Sequence, residues 1–272
     1  MIKPQIHALK RLEETAEMQT FSNPLCLYPT LTLLAVLMTL SCEYRLECIG
    51  DRPSLITRRL WWGAAIGKTL ASLGFLTLFW ILVQRSYPTE LCAHPWWLGG
   101  ALLTSAVGDV ALIGRSDRCF LVGLGSFLVA HLAFALAFMI PAAQGMSTEA
   151  LSGSTPWVTC IGALVVTGSA SAIAYRRFKP EISGPLRAPS LVYAGVIALM
   201  VATAAAHALV TQCLYVAVGA VAFWLSDLAV AQQRFRAHLL PLRGFYIRLW
   251  GLPLYYTAQL ILAAEPGRGL SL

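Results

Sequence analysis

The sequence is short of charged residues. Of its 272 residues only 12% are charged, whereas 57% are hydrophobic, and the mean hydropathy is +0.67. A soluble domain normally has about one-quarter of its residues charged. This shortage of charge argues against a soluble domain and makes the lipid bilayer the expected solvent of the chain.

Signals for several other classes of protein are also missing. The seven cysteines form no CxxC pair and no zinc-binding spacing, so neither a disulfide framework nor a metal site is expected. The net charge of +7 comes from short turns between apolar runs and not from a basic stripe with interleaved aromatic residues, which argues against nucleic-acid binding. Residues 1–24 do not resemble a cleavable signal peptide, and they predict a polar tail or a short interfacial helix.

Long apolar runs are what the sequence has in abundance. About twenty apolar residues, at 1.5 Å each, cross the hydrocarbon core of a bilayer. We therefore predict an all-α, polytopic integral membrane protein with a single transmembrane domain over 25–264 and a tail at 265–272. Only Thr211 and Gln212 interrupt the sixth and seventh runs, but together those runs are too long for one span. The eight predicted helices are 25–41, 60–83, 96–114, 119–140, 157–175, 190–211, 213–231 and 246–264.

The distribution of basic residues predicts the orientation. Lys and Arg collect in the odd-numbered connections between these helices, whereas the even-numbered connections hold only Arg85. The positive-inside rule then places the odd-numbered connections in the cytoplasm and both termini on the opposite side. We expect a multi-pass protein of a bacterial inner membrane or, in a eukaryote, of the endoplasmic reticulum.

Polar residues inside the apolar runs are the candidates for function, because a charge at the centre of a bilayer costs about 3 kcal/mol on insertion scales. Asp109 and Asp227 lie about 8 and 6 Å from the cytoplasmic ends of the third and seventh helices, and Lys68 lies about 12 Å from the same side. Topology thus brings them to one layer near the cytoplasmic leaflet. Further polar candidates, at or deeper than this layer, are His131, Tyr193, Ser226, Tyr255, Tyr256 and Gln259.

Plainer interpretations exist for most of these residues. Lys68 could extend its ammonium group to the headgroups, and His131 could be a hydrogen-bonded histidine of the core. The tyrosines are also typical of aromatic belts, and Ser226 could bond within its own helix. Two aspartates at one depth are harder to explain in this way. Carboxylates in a medium of low dielectric constant resist ionising together, so one is expected to keep its proton and serve as a general acid.

Several blocks of this sequence resemble the YhhN family of lysoplasmalogenases. They are Lys68-Thr69-Leu70, 105–113 (SAVGDVALI), 130–138 (AHLAFALAF), Tyr193 with Met200, 219–231 (GAVAFWLSDLAVA) and 255–262 (YYTAQLIL). The resemblance covers the second to eighth helices. It implies cleavage of the vinyl-ether bond of a lysoplasmalogen, which gives a fatty aldehyde and glycerophosphocholine or glycerophosphoethanolamine.

The resemblance and the depth argument together suggest a mechanism. One of Asp109 and Asp227 would protonate the vinyl ether, and the other would stabilise the resulting cation and activate water. We favour Asp227 as the acid, because Lys68 is expected to hold Asp109 ionised. His131 would orient or relay a proton, and the expected pocket residues are Tyr193, Tyr255 and Gln259. The expected partners are a lysophospholipid, bilayer lipid and water, with no metal and no cofactor.

Two other functions fit parts of the pattern. Intramembrane aspartyl proteases also use two helix-borne aspartates, in GxGD and YD motifs. Here residues 106–109 read AVGD, and Ser226 stands before Asp227, so neither motif is matched. A proton-coupled transporter or a lipid flippase could use the buried Asp, Lys and His side chains as a relay. Transporters commonly contain internal repeats, and we find no convincing repeat here.

Overall fold

The computed structural model describes residues 24–50, 54–86, 93–114, 116–139, 154–236, 239 and 244–269. Over these ranges the chain contains helices and connections and no strand, as the sequence predicts. The described part ends in a short 3-10 helix, Glu265–Gly269. The eight α-helices are α1 (Pro24–Ile49), α2 (Leu55–Ser86), α3 (Ala93–Ala111), α4 (Asp117–Met139), α5 (Ser154–Phe178), α6 (Gly184–Thr211), α7 (Leu214–Arg236) and α8 (Phe245–Ala263).

Each predicted helix has a counterpart in the structure, but several are longer than their apolar cores. The α1 helix continues to Ile49, past the predicted end at residue 41, through the charged residues Glu43, Arg45 and Glu47. Hydropathy shows only the part of a helix that needs lipid, whereas backbone hydrogen bonding continues beyond it. The predicted break after Thr211 is confirmed, because Gln212 has a left-handed backbone (φ 57°) that ends α6.

Six of the eight helices are long and apolar enough to cross a membrane: α1, α2, α4, α5, α6 and α7. The α3 and α8 helices fall outside this set although each has 19 residues. Both carry polar side chains, among them Asp109 on α3 and Gln259 on α8. Candidate site residues therefore lie on helices inside and outside this set of six.

The helices associate as four hairpins, α1 with α2, α3 with α4, α5 with α6 and α7 with α8. Further packing of α4 on α6, α6 on α7, α2 on α3, and α8 on α1 and α2 joins these hairpins into one bundle. The α5 helix packs mainly on α6, and its other side exposes apolar residues such as Val165, Val166 and Ile173. An apolar helix surface of this kind suits contact with lipid.

A small residue, Gly219, lets α7 and α8 approach closely. A Cβ atom added at Gly219 would lie 2.9 Å from Ile261 and 3.0 Å from Leu262. Close helix packing of this kind replaces the hydrophobic driving force that is absent between helices in lipid. The contact holds Asp227 and Tyr255, which lie further along the same two helices, in a fixed relation.

The residues after α8 pack against the bundle. Glu265 is fully buried, and the Ser86 hydroxyl at the end of α2 donates a hydrogen bond of 2.5 Å to the Pro266 carbonyl. The first five residues of the predicted tail at 265–272 thus form an ordered 3-10 helix. The predicted N-terminal tail or interfacial helix (1–24) lies almost wholly outside the described residues.

Replacing Gly219 with valine should destabilise the bundle, because the added atoms would overlap Ile261 and Leu262. Overpacking of this type costs about 1–3 kcal/mol. Thermal unfolding of the purified protein in detergent measures the effect. Gly125→Val is the matched control, since a Cβ at Gly125 meets nothing within 4 Å. Equal melting temperatures for the two variants would contradict the close approach.

Candidate active site

A cavity of about 1360 Å³ opens at the end of the bundle that bears the odd-numbered connections. Its lining includes Gly50 and Ser54 after α1, Gly114 and Ser116 after α3, and Ile182 after α5. Apolar and aromatic side chains form much of its wall. Six of the predicted site residues line it, namely Lys68, Asp109, Tyr193, Ser226, Asp227 and Tyr255. Four of them, Lys68, Asp109, Tyr193 and Asp227, are the residues that the topology predicts at one depth.

Asp109 lies near the end of α3 and is 6% exposed. Its Oδ2 atom accepts a hydrogen bond of 2.7 Å from the Ser72 hydroxyl on α2 and one of 2.9 Å from the Tyr255 hydroxyl on α8. Three helices thus meet at this carboxylate, and two neutral donors satisfy one of its oxygens. Hydrogen bonds to a carboxylate are among the stronger ones in proteins, so they offset part of the cost of burial.

Lys68 forms its ion pair with Glu43 and not with Asp109. Its Nζ atom lies 3.5 Å from Glu43 Oε1 on α1, and Arg248 Nη1 on α8 lies 3.2 Å from Glu43 Oε2. Arg248 also contacts Glu47, one turn further along α1, at 2.5 Å. Lys68 thus lines the same cavity as Asp109, but its ion pair is with Glu43, a carboxylate that hydropathy analysis did not consider.

Asp227 lies on α7 and belongs to a second cluster. Its Oδ2 atom accepts a hydrogen bond of 2.5 Å from the Tyr193 hydroxyl on α6, and it lies 2.9 Å from His131 Nε2 on α4. His131 is fully buried, and its Nε2 atom is also 3.0 Å from the Tyr193 hydroxyl. The imidazole interpreted from the sequence as an orienting or relaying group is thus a direct neighbour of the second aspartate.

The surroundings of the Nδ1 atom indicate which ring nitrogen of His131 carries a hydrogen. Its Nδ1 atom lies 3.2 Å from the sulfur of Met200, which is fully buried on α6. A thioether sulfur accepts hydrogen bonds and cannot donate them, so we assign the Nδ1 hydrogen to this contact. With the Nδ1 hydrogen placed there, Nε2 is the atom of His131 that can exchange a proton with Asp227. Such a pair can release a proton toward the cavity.

An aromatic cluster joins the two carboxylate clusters. The Phe223 ring centroid is 4.5 Å from that of His131 and 5.4 Å from that of Tyr255. Phe127 packs edge-on against both Phe223 and Tyr255. The Phe127 ring lies over Gly108, where an added Cβ would come within 2.7 Å of it. Glycine before Asp109 is therefore required for the ring to pack beside the carboxylate.

Three further candidates are placed as follows. Gln259 is fully buried on α8 and lies outside the cavity lining, so it is not a pocket residue. The Tyr256 hydroxyl donates to the Lys68 carbonyl at 3.2 Å, which fixes α8 against α2. The Ser226 hydroxyl bonds to the Phe223 carbonyl of its own helix, in agreement with the plainer interpretation. For the Gln259 amide no hydrogen-bond partner is found among the described residues.

Sequence reasoning missed Ser72 and Glu43. Ser72 follows Lys68 by one helical turn, and so it shares a helix face with a residue that was already a candidate. Glu43 lies beyond the apolar core of α1, in a region interpreted as a connection. Asking which donors lie one turn from each candidate would have found Ser72, whereas the pairing of Glu43 depends on how α1 is placed beside α2.

Comparisons with known proteins find a matching family and two relatives. The YhhN family model matches residues 63–265, which include both aspartates and every helix from α3 to α8. Proteins named lysoplasmalogenase from Mycobacterium bovis (strain ATCC BAA-935 / AF2122/97) and Mycobacterium tuberculosis (strain CDC 1551 / Oshkosh) are each 33% identical to this chain over 170 residues. These residues are 62% of this chain and 59% of each relative, so the match spans less than two thirds of their length. No solved structure matches this chain significantly.

Glu43→Gln should destabilise the protein, because it leaves Lys68 and Arg248 without their shared carboxylate. Removing one partner of a largely buried ion pair costs about 3 kcal/mol. Combining it with Lys68→Met should recover part of the loss, since one unpaired charge is then removed. Unfolding in mixed micelles measures both effects.

Asp117→Asn is the control for that comparison. Asp117 is paired with Arg234, but its side chain is 86% exposed, and exposed pairs contribute less than about 1 kcal/mol. If the Glu43→Gln and Asp117→Asn proteins have the same free energy of unfolding, the Glu43 cluster does not stabilise the bundle.

Proposed function

The chain belongs to the YhhN family, and from this premise we propose that it is a lysoplasmalogenase. In this proposal it hydrolyses the vinyl-ether bond of a lysoplasmalogen to a fatty aldehyde and glycerophosphocholine or glycerophosphoethanolamine. The name carried by the two mycobacterial relatives supports the assignment.

The observation that carries the proposal is the pair of carboxylates that face one cavity. Asp109 and Asp227 lie on different helices, and each has its own set of hydrogen-bond donors. Acid-catalysed hydrolysis of a vinyl ether needs one group that donates a proton and another that stabilises the cation formed beside it. Glycoside hydrolysis meets the same need with two carboxyl groups, since its transition state is also an oxocarbenium ion.

The shape and charge of the cavity fit a lysophospholipid. Its volume of about 1360 Å³ exceeds the 300–1,000 Å³ of most small-molecule sites. Apolar walls deep in the bundle suit an alkenyl chain. The phosphate would lie at the mouth, where Arg58 at the start of α2 is exposed and lines the cavity. Bilayer lipid and water complete the partners of the reaction.

In the first step the Asp227–His131 pair protonates the β-carbon of the vinyl ether. The double bond supplies the electron pair for the new C–H bond, and an oxocarbenium ion forms between the ether oxygen and the α-carbon. In its ionised form Asp109, whose Oδ2 atom accepts hydrogen bonds from Ser72 and Tyr255, would stabilise this cation. Asp227 thus remains the proposed acid. The reason is now its contact with His131, and no longer an effect of Lys68 on Asp109.

In the second step water attacks the α-carbon and gives a hemiacetal. A carboxylate accepts one proton of that water, and collapse of the hemiacetal breaks the bond to the glycerol oxygen. The oxygen of water leaves in the aldehyde, while the glycerol oxygen takes up a proton. Both carboxyl groups return to their starting states, and water is the only other reactant.

We further propose that the cavity opens toward the cytoplasmic leaflet. Its mouth lies among the odd-numbered connections, which hold nearly all the basic residues of the inter-helix segments. The positive-inside rule assigns such connections to the cytoplasm. A single-chain lipid in that leaflet could then enter with its head at the mouth and its chain among the helices.

Asp109→Asn and Asp227→Asn should each lower the release of fatty aldehyde from lysoplasmenyl-ethanolamine by about 10²–10⁴-fold, the usual contribution of a general acid or base. The assay uses purified protein in detergent, where no gradient or second compartment exists. Asp117→Asn, exposed and outside the cavity lining, is the matched control and should retain activity. Absence of aldehyde with the wild-type protein would refute the enzyme assignment and favour a transporter or flippase. Wild-type rates in both Asn variants would refute the mechanism but not the enzyme assignment.

Aldehyde released in D₂O should carry one deuterium on the carbon next to its carbonyl group, because that hydrogen comes from an exchangeable acid. Rapid reduction to the alcohol followed by mass spectrometry measures the label. Authentic aldehyde kept with the protein in D₂O for the same time controls for exchange. An unlabelled product would contradict protonation at the β-carbon.

A further inference from the structure

A second group of polar side chains lies buried at the opposite end of the bundle. His94 is in the first turn of α3, His207 is near the end of α6, and Glu265 begins the 3-10 helix. All three are at most 4% exposed, and their possible ligand atoms lie within 4.8 Å of one another. None of the three lines the cavity. The mechanism proposed above does not use this cluster.

The two distances between a histidine and Glu265 are those of ligands around a cation. His94 Nε2 is 3.6 Å from Glu265 Oε2, and His207 Nε2 is 3.5 Å from Glu265 Oε1. Hydrogen bonds from nitrogen to oxygen are usually 2.7–3.2 Å long. Two ligands bound tetrahedrally to zinc at 2.0–2.2 Å are about 3.3–3.6 Å apart. The observed separations of 3.5 and 3.6 Å therefore agree with the spacing of zinc ligands and exceed that of hydrogen bonds.

The other nitrogen of His207 supports the same interpretation. Its Nδ1 atom lies 3.2 Å from the carbonyl oxygen of Phe138 on α4, and that oxygen can only accept a hydrogen bond. Nδ1 therefore carries the hydrogen, and the Nε2 lone pair of a neutral ring points to the carboxylate. A histidine that ligates a metal almost always donates its second N–H group in this way.

We propose that His94, His207 and Glu265 form a binding site for a divalent transition-metal cation, with Zn²⁺ as the resident ion. Two imidazoles and a carboxylate are a common ligand set for zinc. The same set binds non-haem iron in octahedral geometry, but ligands at 90° would be about 3.0 Å apart, closer than the separations found here. Burial of all three side chains points to a structural site.

The cation would join three parts of the chain that no single hairpin connects. His94 comes from the α3/α4 hairpin, His207 from the α5/α6 hairpin, and Glu265 from the segment after α8. The stacked rings of His94 and His207, parallel within 2° and 5.8 Å apart, already hold two of these parts together. A bound cation also balances the carboxylate charge in a site that excludes water.

The metal content of the full-length, tag-free protein in detergent tests this proposal. Elemental analysis should find about one zinc per chain, and protein stripped of metal should bind added Co²⁺ with the visible absorption of a tetrahedral complex. His207→Gln and Glu265→Gln should each lose the zinc and that spectrum. His131→Gln, which changes another buried histidine remote from the cluster, should keep both.

Three results would overturn the proposal. The first is wild-type protein that contains no metal and does not bind Zn²⁺ or Co²⁺ on reconstitution. The second is metal retained in both the His207→Gln and the Glu265→Gln protein, which would place the ion elsewhere. The third is a Co²⁺ spectrum of octahedral type in the wild-type protein. Because the spectrum is measured on the wild type, the test remains decisive even if both variants misfold.

Discussion

A carboxylate inside an apolar helix bundle needs hydrogen-bond donors, and those donors must come from neighbouring helices. Asp109 draws its donors from α2 and α8, whereas Asp227 draws its partners from α4 and α6. Together with their own helices, α3 and α7, the two aspartates account for six of the eight helices. The cost of leaving such a group unpaired is several kcal/mol, which is comparable with the net stability of a domain. The polar contacts at the cavity therefore determine the arrangement of the bundle as much as apolar packing does.

The distribution of full charges around the cavity follows from a second constraint. Lys68 and Arg248 line the cavity, and both are bound by Glu43. The aspartates consequently interact with hydroxyl groups and an imidazole and not with a permanent cation in direct contact. In the proposed mechanism, an ionised carboxylate held by neutral donors keeps its negative charge available to the cationic intermediate. Glu43 would support that mechanism by binding the two cations.

Hydropathy and the positive-inside rule were sufficient for most of the fold. They located each of the eight helices found among the described residues and the break after Thr211, and they placed Asp109, Asp227, Lys68 and Tyr193 in one layer. They could not give the partner of Lys68 or exclude Gln259 from the lining, because these depend on the rotation of each helix about its axis. Hydropathy has no information on rotation where both faces of a helix are apolar. The His94–His207–Glu265 cluster was also not predictable, since its members are separated by more than fifty residues and belong to no local motif.

Two helices extend from one polar cluster to the other. On α3, His94 and Asp109 are fifteen residues apart, or about 22 Å along the axis, and on α6, Tyr193 and His207 are fourteen residues apart, or about 21 Å. A helix that is fixed at one end cannot turn freely at the other, because its backbone hydrogen bonds make it stiff. Fixing His94 and His207 against Glu265 therefore also limits the rotation of α3 and α6 at the cavity. Since Asp109 and Tyr193 each depend on hydrogen bonds of 2.5–2.9 Å, a small rotation would break them. The remote cluster can thus contribute to the geometry of the cavity without contact with anything bound there.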